Sequence, residues 1–428
     1  MKNIFVFGLD DFNLAQMKAL ESAQTYRFHA LFRHEEVKRS SRLNVDALYQ
    51  GALQRLRDSP DPPDAVVGYW DFPVSTMLPL LRKPFDLPSP SFEAVLKCEH
   101  KYWSRVEQQQ IVPEHIPDFC AVDPFADQPR RQISLAYPFW IKPVKAASSH
   151  LGFKVRNDAE FEHAIQRIRR DISRWAEPFN YLLQFADLPD QIAPVDGSHC
   201  VVEGIISRGR QCTLEGYVYH GETRVYGAID SIREGKHRSS FSRYQYPSTI
   251  PQRIQEKMIA VTRKVMRRTG FDNGPFNIEF YWDCDDDSIW LLEINTRISK
   301  SHTPLFRDVD GAPHHQVMLD LALGKRPEFP HRRGRYRCAA KFMWRMATDA
   351  EVRHLPTEEQ LQALQRRFPG LEIQIAVHEG MRLSDLTDQD SYSYEIAVIF
   401  LGGDSQRELL QKYRAVREAL PLELAPVD

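Results

Sequence analysis

The stretch at residues 276–300, FNIEFYWDCDDDSIWLLEINTRISK, constrains the fold of this 428-residue chain more than any other part of it. Residues 277–282 alternate polar and apolar side chains, and residues 289–295 are rich in residues that favour strands. The connecting segment contains four aspartates, which cannot be buried together and therefore predict a solvent-exposed turn. The stretch is thus predicted to form a β-hairpin.

A turn centred near Asp286 sets the register of this hairpin. Glu279 then lies opposite Glu293, and all polar positions share one face because side chains alternate with period two. Asn277 lies opposite Asn295 in the same register. Opposed carboxylates repel, so a cation is expected between them, and these oxygen ligands suit a hard divalent ion such as Mg²⁺. The alternative is a solvated outer face. The metal interpretation is favoured by the apolar frame of Phe276, Ile278, Phe280, Ile289, Trp290, Leu292 and Ile294.

This pattern resembles the C-terminal lobe of the ATP-grasp superfamily, which carries a Glu on one strand and a Glu-x-Asn-x-Arg on the next. The matching residues here are Glu279 and then Glu293-Ile-Asn295-Thr-Arg297. The resemblance implies an ATP-grasp fold of α/β and α+β class, of the type found in carboxylate–amine ligases such as amino-acid ligases. It also implies Mg²⁺, or Mn²⁺, on Glu279, Glu293 and Asn295, bridging the phosphates of ATP. Arg297 is implied to stabilise the charge of the tetrahedral intermediate.

The composition indicates an ordinary globular protein of two or three domains. Basic and acidic residues number 56 and 58, for a formal charge of −2. That balance gives no support to a nucleic-acid surface, and no apolar segment is long enough for a signal or a membrane span. The six cysteines form no close pairs, which predicts free thiols in a cytoplasmic protein.

Residues 1–90 are predicted to form an α/β domain with a parallel sheet, because strands and helices alternate along them. The first turn lacks the G-x-G-x-x-G fingerprint, which argues against NAD binding. Acidic residues follow the predicted strands at Asp10, Asp11 and Asp71; helix capping is the preferred interpretation and ligand contact the alternative. The resemblance identifies this part as the Rossmann-like domain that precedes many ATP-grasp domains.

Residues 91–330 are predicted to form the ATP-grasp domain itself, with a nucleotide-binding small lobe at about 120–210 and a metal-binding large lobe at about 211–330. Ser91 is a predicted N-cap for a helix that runs to about Gln110. The resemblance makes Lys101 of this helix a phosphate-contacting residue. Without the resemblance, a lysine on a helix is ordinarily solvated.

Lys142 stands in an otherwise apolar predicted strand, residues 137–143. An ammonium group in such a strand is costly unless an anion meets it, so Lys142 is a candidate phosphate ligand and catalytic residue. The alternative is a lysine that snorkels at the strand end. The small residues that follow suggest an anion nest, where the resemblance implies a loop over the triphosphate. Ser148 and Ser149 occupy positions that are usually glycine in that loop.

Strands are predicted at residues 181–185 and 198–203, after an amphipathic helix at 158–175. The linker between the two lobes of the family reads Glu-x-x-Ile/Leu-x-Gly-x-Glu. Its backbone binds the adenine of ATP, and its last Glu binds the ribose. Allowing a one-residue insertion, Glu203 and Ile206 match it, and Gln211 stands at the ribose-binding position. The alternative is a structural glutamate at a strand end.

A cationic loop spans Arg233 to Arg243, and its guanidinium groups are candidates for capturing a substrate carboxylate or phosphate. A solvated mobile loop is the alternative. Lys300 and His302 follow Arg297 where relatives carry small residues, so both are candidates for substrate selection. Lys300 alternatively is an ordinary surface residue.

Residues 331–428 are predicted to form a third, small α+β domain. Together these features indicate an ATP-dependent ligase that joins a carboxylate to an amine, with amino acids or small peptides among the candidate substrates. The alternatives are a carboxylate–thiol ligase, a carboxylase-like enzyme and a non-catalytic nucleotide-binding protein. The expected partners are small molecules rather than nucleic acid or membrane, and the resemblance is compatible with a homodimer.

Overall fold

The computed structural model describes residues 1–38, 44–146, 150–233, 240–386 and 393–427. The chain begins with a parallel sheet of three strands in the order β2-β1-β3, which confirms the sheet predicted from strand–helix alternation. Asp10 caps the first helix, as predicted, by accepting from the backbone N–H of Asn13. The elements are β1 (Lys2–Leu9), α1 (Asp11–Lys18), β2 (Tyr26–Arg33), α2 (His34–Lys38), α3 (Val45–Arg57), β3 (Ala65–Val67) and α4 (Val74–Arg82).

Two helices, α5 (Phe92–Glu99) and α6 (Lys101–Gln109), stand where the sequence predicts one. His100 separates them, because its backbone is extended and its ring accepts from the N–H of Trp103 to cap α6. Ser91 caps α5, as predicted. The break leaves Lys101 at the first position of α6.

The next part is a four-stranded antiparallel sheet in the order β4-β7-β5-β6. The strand predicted at residues 181–185 is wrong. This segment lies at the end of a helix, in which Trp175, Phe179 and Leu182 are buried at helical spacing. The elements are β4 (Phe119–Val122), β5 (Phe139–Pro143), β6 (Phe153–Val155), α7 (Asp158–Asp171), α8 (Ser173–Leu183) and β7 (Cys200–Gly204).

An eight-stranded sheet in the order β12-β11-β8-β9-β10-β13-β16-β15 contains most of the remaining strands. The predicted hairpin register is confirmed: Glu279 pairs with Glu293, and Asn277 with Asn295. A register shift follows Glu279, and Phe280 pairs with Leu291. The elements up to residue 330 are β8 (Arg210–Tyr219), β9 (Glu222–Ile232), β10 (Arg243–Tyr246), α9 (Gln252–Thr269), β11 (Gly274–Trp282), β12 (Ile289–Asn295), α10 (Thr303–Asp310) and α11 (His315–Ala322).

The C-terminal part shares this sheet, because β13 pairs with β10 and continues it into β16 and β15. Strands β14 and β17 form a separate antiparallel pair. The elements are β13 (Cys338–Met346), β14 (Ala350–His354), α12 (Glu358–Arg367), β15 (Glu372–Ile375), β16 (Tyr394–Gly403), α13 (Gln406–Ala419) and β17 (Glu423–Pro426).

A short linker at residues 205–209 joins the four-stranded sheet to the eight-stranded sheet. It passes very close to the end of β11. Gly209 has φ +78°, and a Cβ there would lie 2.1 Å from the Trp282 carbonyl oxygen, so only glycine fits. The linker therefore enters β8 in close contact with the end of its neighbour β11.

The six cysteines are all free, as predicted, although Cys284 is exposed. Among the described helices, none has both the length and the apolar character that a membrane crossing requires.

A buried carboxylate, Glu99 at the end of α5, ties three parts of the chain together. Lys145 donates to Glu99 Oε2 over 2.6 Å, and Thr76 donates to the same oxygen over 2.6 Å. Thr296, immediately after β12, donates to the other oxygen. Burial alone would raise the pKa of Glu99, but Lys145 and these hydrogen bonds lower it to about 2.

Replacing this carboxylate should destabilise the fold strongly. In Glu99→Ala the Lys145 ammonium stays buried without its partner, which costs about 3–5 kcal/mol. We expect a clear fall in melting temperature by calorimetry. Glu162→Ala, at an exposed position of α7, is the control and should change little. An unchanged melting temperature in Glu99→Ala would contradict this role.

Candidate active site

The hairpin and its neighbour β8 carry a row of polar side chains on one face. Residues directly opposite on neighbouring antiparallel strands share a face, so Thr213 and Glu215 of β8 lie on the same face as Glu279 and Asn277. Asn295 completes the row and donates to Asn277 Oδ1 over 3.0 Å. The face therefore carries carboxylate and amide oxygens side by side.

The charge of Glu293 affects the protonation of Glu279, the residue opposite it. Burial, together with the charge of Glu293, raises the pKa of Glu279 to about 8. The Gln211 amide donates to Glu279 Oε2 over 2.5 Å, and the charges of Arg297 and Arg233 oppose the rise without cancelling it.

These oxygens fit a magnesium ion only in part. Within the described ranges, no group of three or more His, Cys, Asp or Glu side chains is placed to hold a metal. Glu279, Glu293 and Asn295 thus offer two carboxylates and one amide. Mg²⁺ typically takes one or two protein carboxylates and completes its six-fold shell with phosphate oxygens and water. The donor set therefore fits a metal that arrives with a nucleotide better than a resident structural metal.

Lys101 extends its ammonium toward the same region. Its Nζ donates to the Ala146 carbonyl over 3.3 Å. Burial lowers the pKa of Lys101 to about 8, the charge of Glu293 acts against this lowering, and Lys142 adds to it. The mutual influence of these groups means that the α6 lysine, the β5 lysine and the hairpin glutamate lie near one another.

Lys142 meets an anion, as an apolar strand requires, and that anion is Glu203. Lys142 Nζ lies 2.6 Å from Glu203 Oε2, and Arg105 Nε donates to Glu203 Oε1 over 2.8 Å. Burial would raise the pKa of Glu203, but Arg105 and Lys142 lower it to about 2. Arg105 also donates to the carbonyls of Leu291 and Leu292, so this ion-pair cluster reaches β12.

Arg297 leaves the end of the hairpin and pairs with Asp71 of the N-terminal part. Its Nε donates to Asp71 Oδ1 over 2.8 Å. The remaining Nη1 is buried and has no hydrogen-bond partner. The guanidinium group is thus anchored on one side and has a free donor on the other.

The other predicted ligand contacts fall in different surroundings. Gln211 on β8 is buried, and its amide is shared between Glu279 and Arg233. Arg233 also donates to the Tyr281 hydroxyl over 3.3 Å, whereas Arg243 on β10 is buried, with its guanidinium carbon 5.8 Å from the Phe342 ring centroid. Ile206 is buried in the linker. Two further predictions, Ser148 and Ser149, lie outside the described residues.

The two substrate-selection candidates after Arg297 differ from each other. His302 is buried, and its Nδ1 lies 2.7 Å from Glu215 Oε1. This contact anchors the segment after Arg297 to β8. Lys300 instead lies over an aromatic ring, with Nζ 3.8 Å from the Trp70 ring centroid.

Several residues of this region carry no sequence motif. Arg105, Glu99 and Glu215 are buried charges that one could suspect only from their apolar neighbours in helix or strand. Asp71 was visible as a strand-end acid, but its partner Arg297 lies 226 residues away. Lys145 sits beside the small-residue loop, and its partner, too, is distant in sequence.

The raised pKa of Glu279 predicts a pH-dependent stability in metal-free buffer. The folded protein holds this proton up to about pH 8, whereas the unfolded chain releases it near its ordinary pKa of 4.5. The stability from this group is therefore fully present below the lower value and is lost as pH rises through the upper one. We expect the free energy of unfolding of Glu279→Gln to exceed that of wild type at about pH 9 by on the order of a few kcal/mol, because each unit by which the pKa is raised is worth about 1.4 kcal/mol, and we expect this gain to vanish at about pH 4. Glu162→Gln is the control. A constant difference across that range would contradict the assignment.

Comparison with known proteins identifies the domain. Residues 135–304 match the family model described as an ATP-grasp domain. An uncharacterized protein, y4rH, of Sinorhizobium fredii is 24% identical over 309 residues, 70% of this chain and 57% of that protein. A D-alanine–D-alanine ligase of Parasynechococcus marenigrum is 24% identical over 225 residues, 48% of this chain and 56% of that protein. The chain spans less than two thirds of the length of either relative.

A solved structure, that of an L-amino acid ligase from Bacillus licheniformis, has a similar fold along its whole length. The TM-score is 0.73 at 18% identity, and the match covers 100% of this chain and 99% of that one. The predicted fold class is confirmed by this match together with the family model. Residues 135–304 thus match an ATP-grasp domain, and the whole chain has the fold of the L-amino acid ligase structure.

Proposed function

We propose that this protein is an ATP-dependent ligase that activates a carboxylate as an acylphosphate and joins it to an amine, releasing ADP and phosphate. The observation that carries the proposal is the opposed pair of Glu279 and Glu293. Lys101 is close enough to Glu293 for the two charges to interact. The similarity to a D-alanine–D-alanine ligase and to an L-amino acid ligase supports the amine as acceptor.

Glu279, Glu293 and Asn295 are the residues that would hold the metal. Magnesium, when bound there with ATP, supplies charge stabilisation for the phosphates and aligns them. The hairpin contributes rigidity, because its carboxylates sit on paired strands with a buried apolar opposite face that includes Ile278, Phe280 and Ile294. Gln211 holds Glu279 in one orientation through its amide.

Lys101 and Lys142 would offset the negative charge of the transferring phosphoryl group. Each is held by a protein group, Lys101 by the Ala146 carbonyl and Lys142 by Glu203. Glu203 keeps a second partner in Arg105, so it remains neutralised when Lys142 turns toward phosphate. Groups positioned in advance in this way stabilise a transition state without reorganisation cost.

Arg297 would serve the second half of the reaction, in which the amine attacks the activated carbonyl. Asp71 fixes the guanidinium through Nε and leaves the buried Nη1 as a donor. A charge-assisted donor of this kind suits the oxygen that becomes negative in the tetrahedral intermediate.

Loss of either hairpin glutamate should abolish turnover and leave the fold intact. We expect Glu279→Gln and Glu293→Gln to lower ATP-dependent ADP release by about 100-fold or more, because each removes a charge from the metal site. The assay is ADP release across a panel of acids with amines and thiols, which also separates an amine from a thiol acceptor. Glu162→Gln should retain activity. If both hairpin variants keep full activity, the metal assignment is wrong.

Replacing Lys142 should weaken the use of ATP rather than the fold. We expect Lys142→Met to raise the KM for ATP and to lower kcat, by about 10-fold or more together, because one phosphate-facing charge is lost. Lys154→Met, on the exposed side of neighbouring β6, is the matched control. Steady-state ADP release at varied ATP measures both constants. Equal kinetics in the two variants would count against a phosphate role for Lys142.

A further inference from the structure

Three side chains form a stack where the N-terminal sheet faces the segment after the hairpin. The rings of His34 and Trp70 are parallel, with centroids 3.6 Å apart and an interplanar angle of 5°. Lys300 Nζ lies 3.8 Å from the Trp70 ring centroid. The indole is fixed in place, because its Nε1 donates to the Gly8 carbonyl over 2.7 Å.

The position of this stack is one where open parallel sheets bind ligands. His34 directly follows β2, and Trp70 comes three residues after β3. Both therefore lie at the carboxyl ends of parallel strands, outside which ligands bind in sheets of this kind. Arg297 lies nearby, since it pairs with Asp71, the residue after Trp70.

The Lys300 ammonium lacks an anion in these surroundings. Within the part of the chain that the structure describes, it has no hydrogen bond and no salt bridge, and its only contact of this kind is the Trp70 ring. The nearby acids are engaged elsewhere: Asp10 accepts from Tyr69 over 3.0 Å, and Asp71 accepts from Arg297. A half-buried cation without an anion beside it is costly to keep.

A second lysine acts on the first. Lys341 of β13 donates to the Ser301 hydroxyl over 3.1 Å. Burial, and then the charge of Lys341, lowers the pKa of Lys300 to about 8. Two like charges held close together, one of them without a counter-ion, mark a place for a negatively charged ligand.

We propose that Lys300, supported by Trp70 and Lys341, binds a substrate carboxylate that is not activated in the reaction and thereby selects the substrate. This inference rests on the proposed ligase function. In the proposed function the activated carboxylate reacts beside the phosphates, which are assigned to Glu279, Glu293 and Lys101, so Lys300 is assigned to a second carboxylate.

Two sources carry such a group. An α-amino acid that acts through its amine keeps its own carboxylate throughout the reaction. A dicarboxylic acid activated at one end keeps the other. The shared chemistry is a spectator carboxylate, and the flat face of Trp70 suits the apolar atoms that join it to the reacting group.

The test compares wild type with Lys300→Met, which keeps the length of the side chain and removes the charge. Each protein is assayed with an amino acid and with its carboxamide as amine, and with a dicarboxylic acid and its monoamide as acid. We expect the variant to raise KM by about 10- to 100-fold for whichever partner carries the spectator carboxylate, as loss of a charge-assisted contact does. KM for the amide analogue and for ATP should stay unchanged. Lys300→Arg should keep the preference, and Lys325→Met, at an exposed position, is the control.

Other outcomes overturn the inference. If Lys300→Met lowered kcat equally for carboxylates and amides, Lys300 would act in proton transfer or structural support instead. If the preference of the variant for carboxylates over amides were unchanged, Lys300 would have no part in substrate selection. Thermal-shift binding of the same ligands without ATP separates this inference from the proposed function. Carboxylate binding that depends on Lys300, with no ADP release from any pair, would reject the ligase and keep the subsite. ADP release with a preference for carboxylates that persists in Lys300→Met would support the ligase and reject the subsite. Absence of both ADP release and carboxylate binding would also reject the subsite.

Discussion

Repulsion between Glu279 and Glu293 is the constraint on which the rest of the site depends. Hairpin register forces the two carboxylates to face each other, and the sheet around them limits access of water. The fold tolerates this because Gln211, Arg233 and Arg297 partly offset the charge and because Glu279 can keep its proton. A divalent cation that arrives with phosphate would relieve the repulsion, so the energetic cost in the free protein becomes binding energy for the nucleotide.

The surrounding cations are arranged around this pair by contacts that cross the whole chain. Glu203 holds Lys142 and Arg105, Glu99 holds Lys145, and Asp71 holds Arg297. Each acid neutralises at least one cation. The result is a set of positive groups that are placed in advance and electrostatically tolerated until an anion arrives.

The sequence predicted the hairpin, its register and the parallel N-terminal sheet, because alternation and turn chemistry are local properties. It did not predict the helix at residues 173–183, because residues 181–185 favour a strand when taken alone. The buried side chains Trp175, Phe179 and Leu182 have helical spacing, and the segment is a helix. It also missed Arg105, whose role depends on Glu203, 98 residues away. Partners at such separations leave no periodic signal, so only the assembled fold reveals them.

The most direct measurement of the central claim is anomalous scattering from manganese in crystals grown with Mn²⁺ and a non-hydrolysable ATP analogue. Our account predicts a single strong peak bonded both to a Glu279 oxygen and to a Glu293 oxygen, with phosphate oxygens completing the shell. A bound nucleotide whose manganese touches neither glutamate would contradict it.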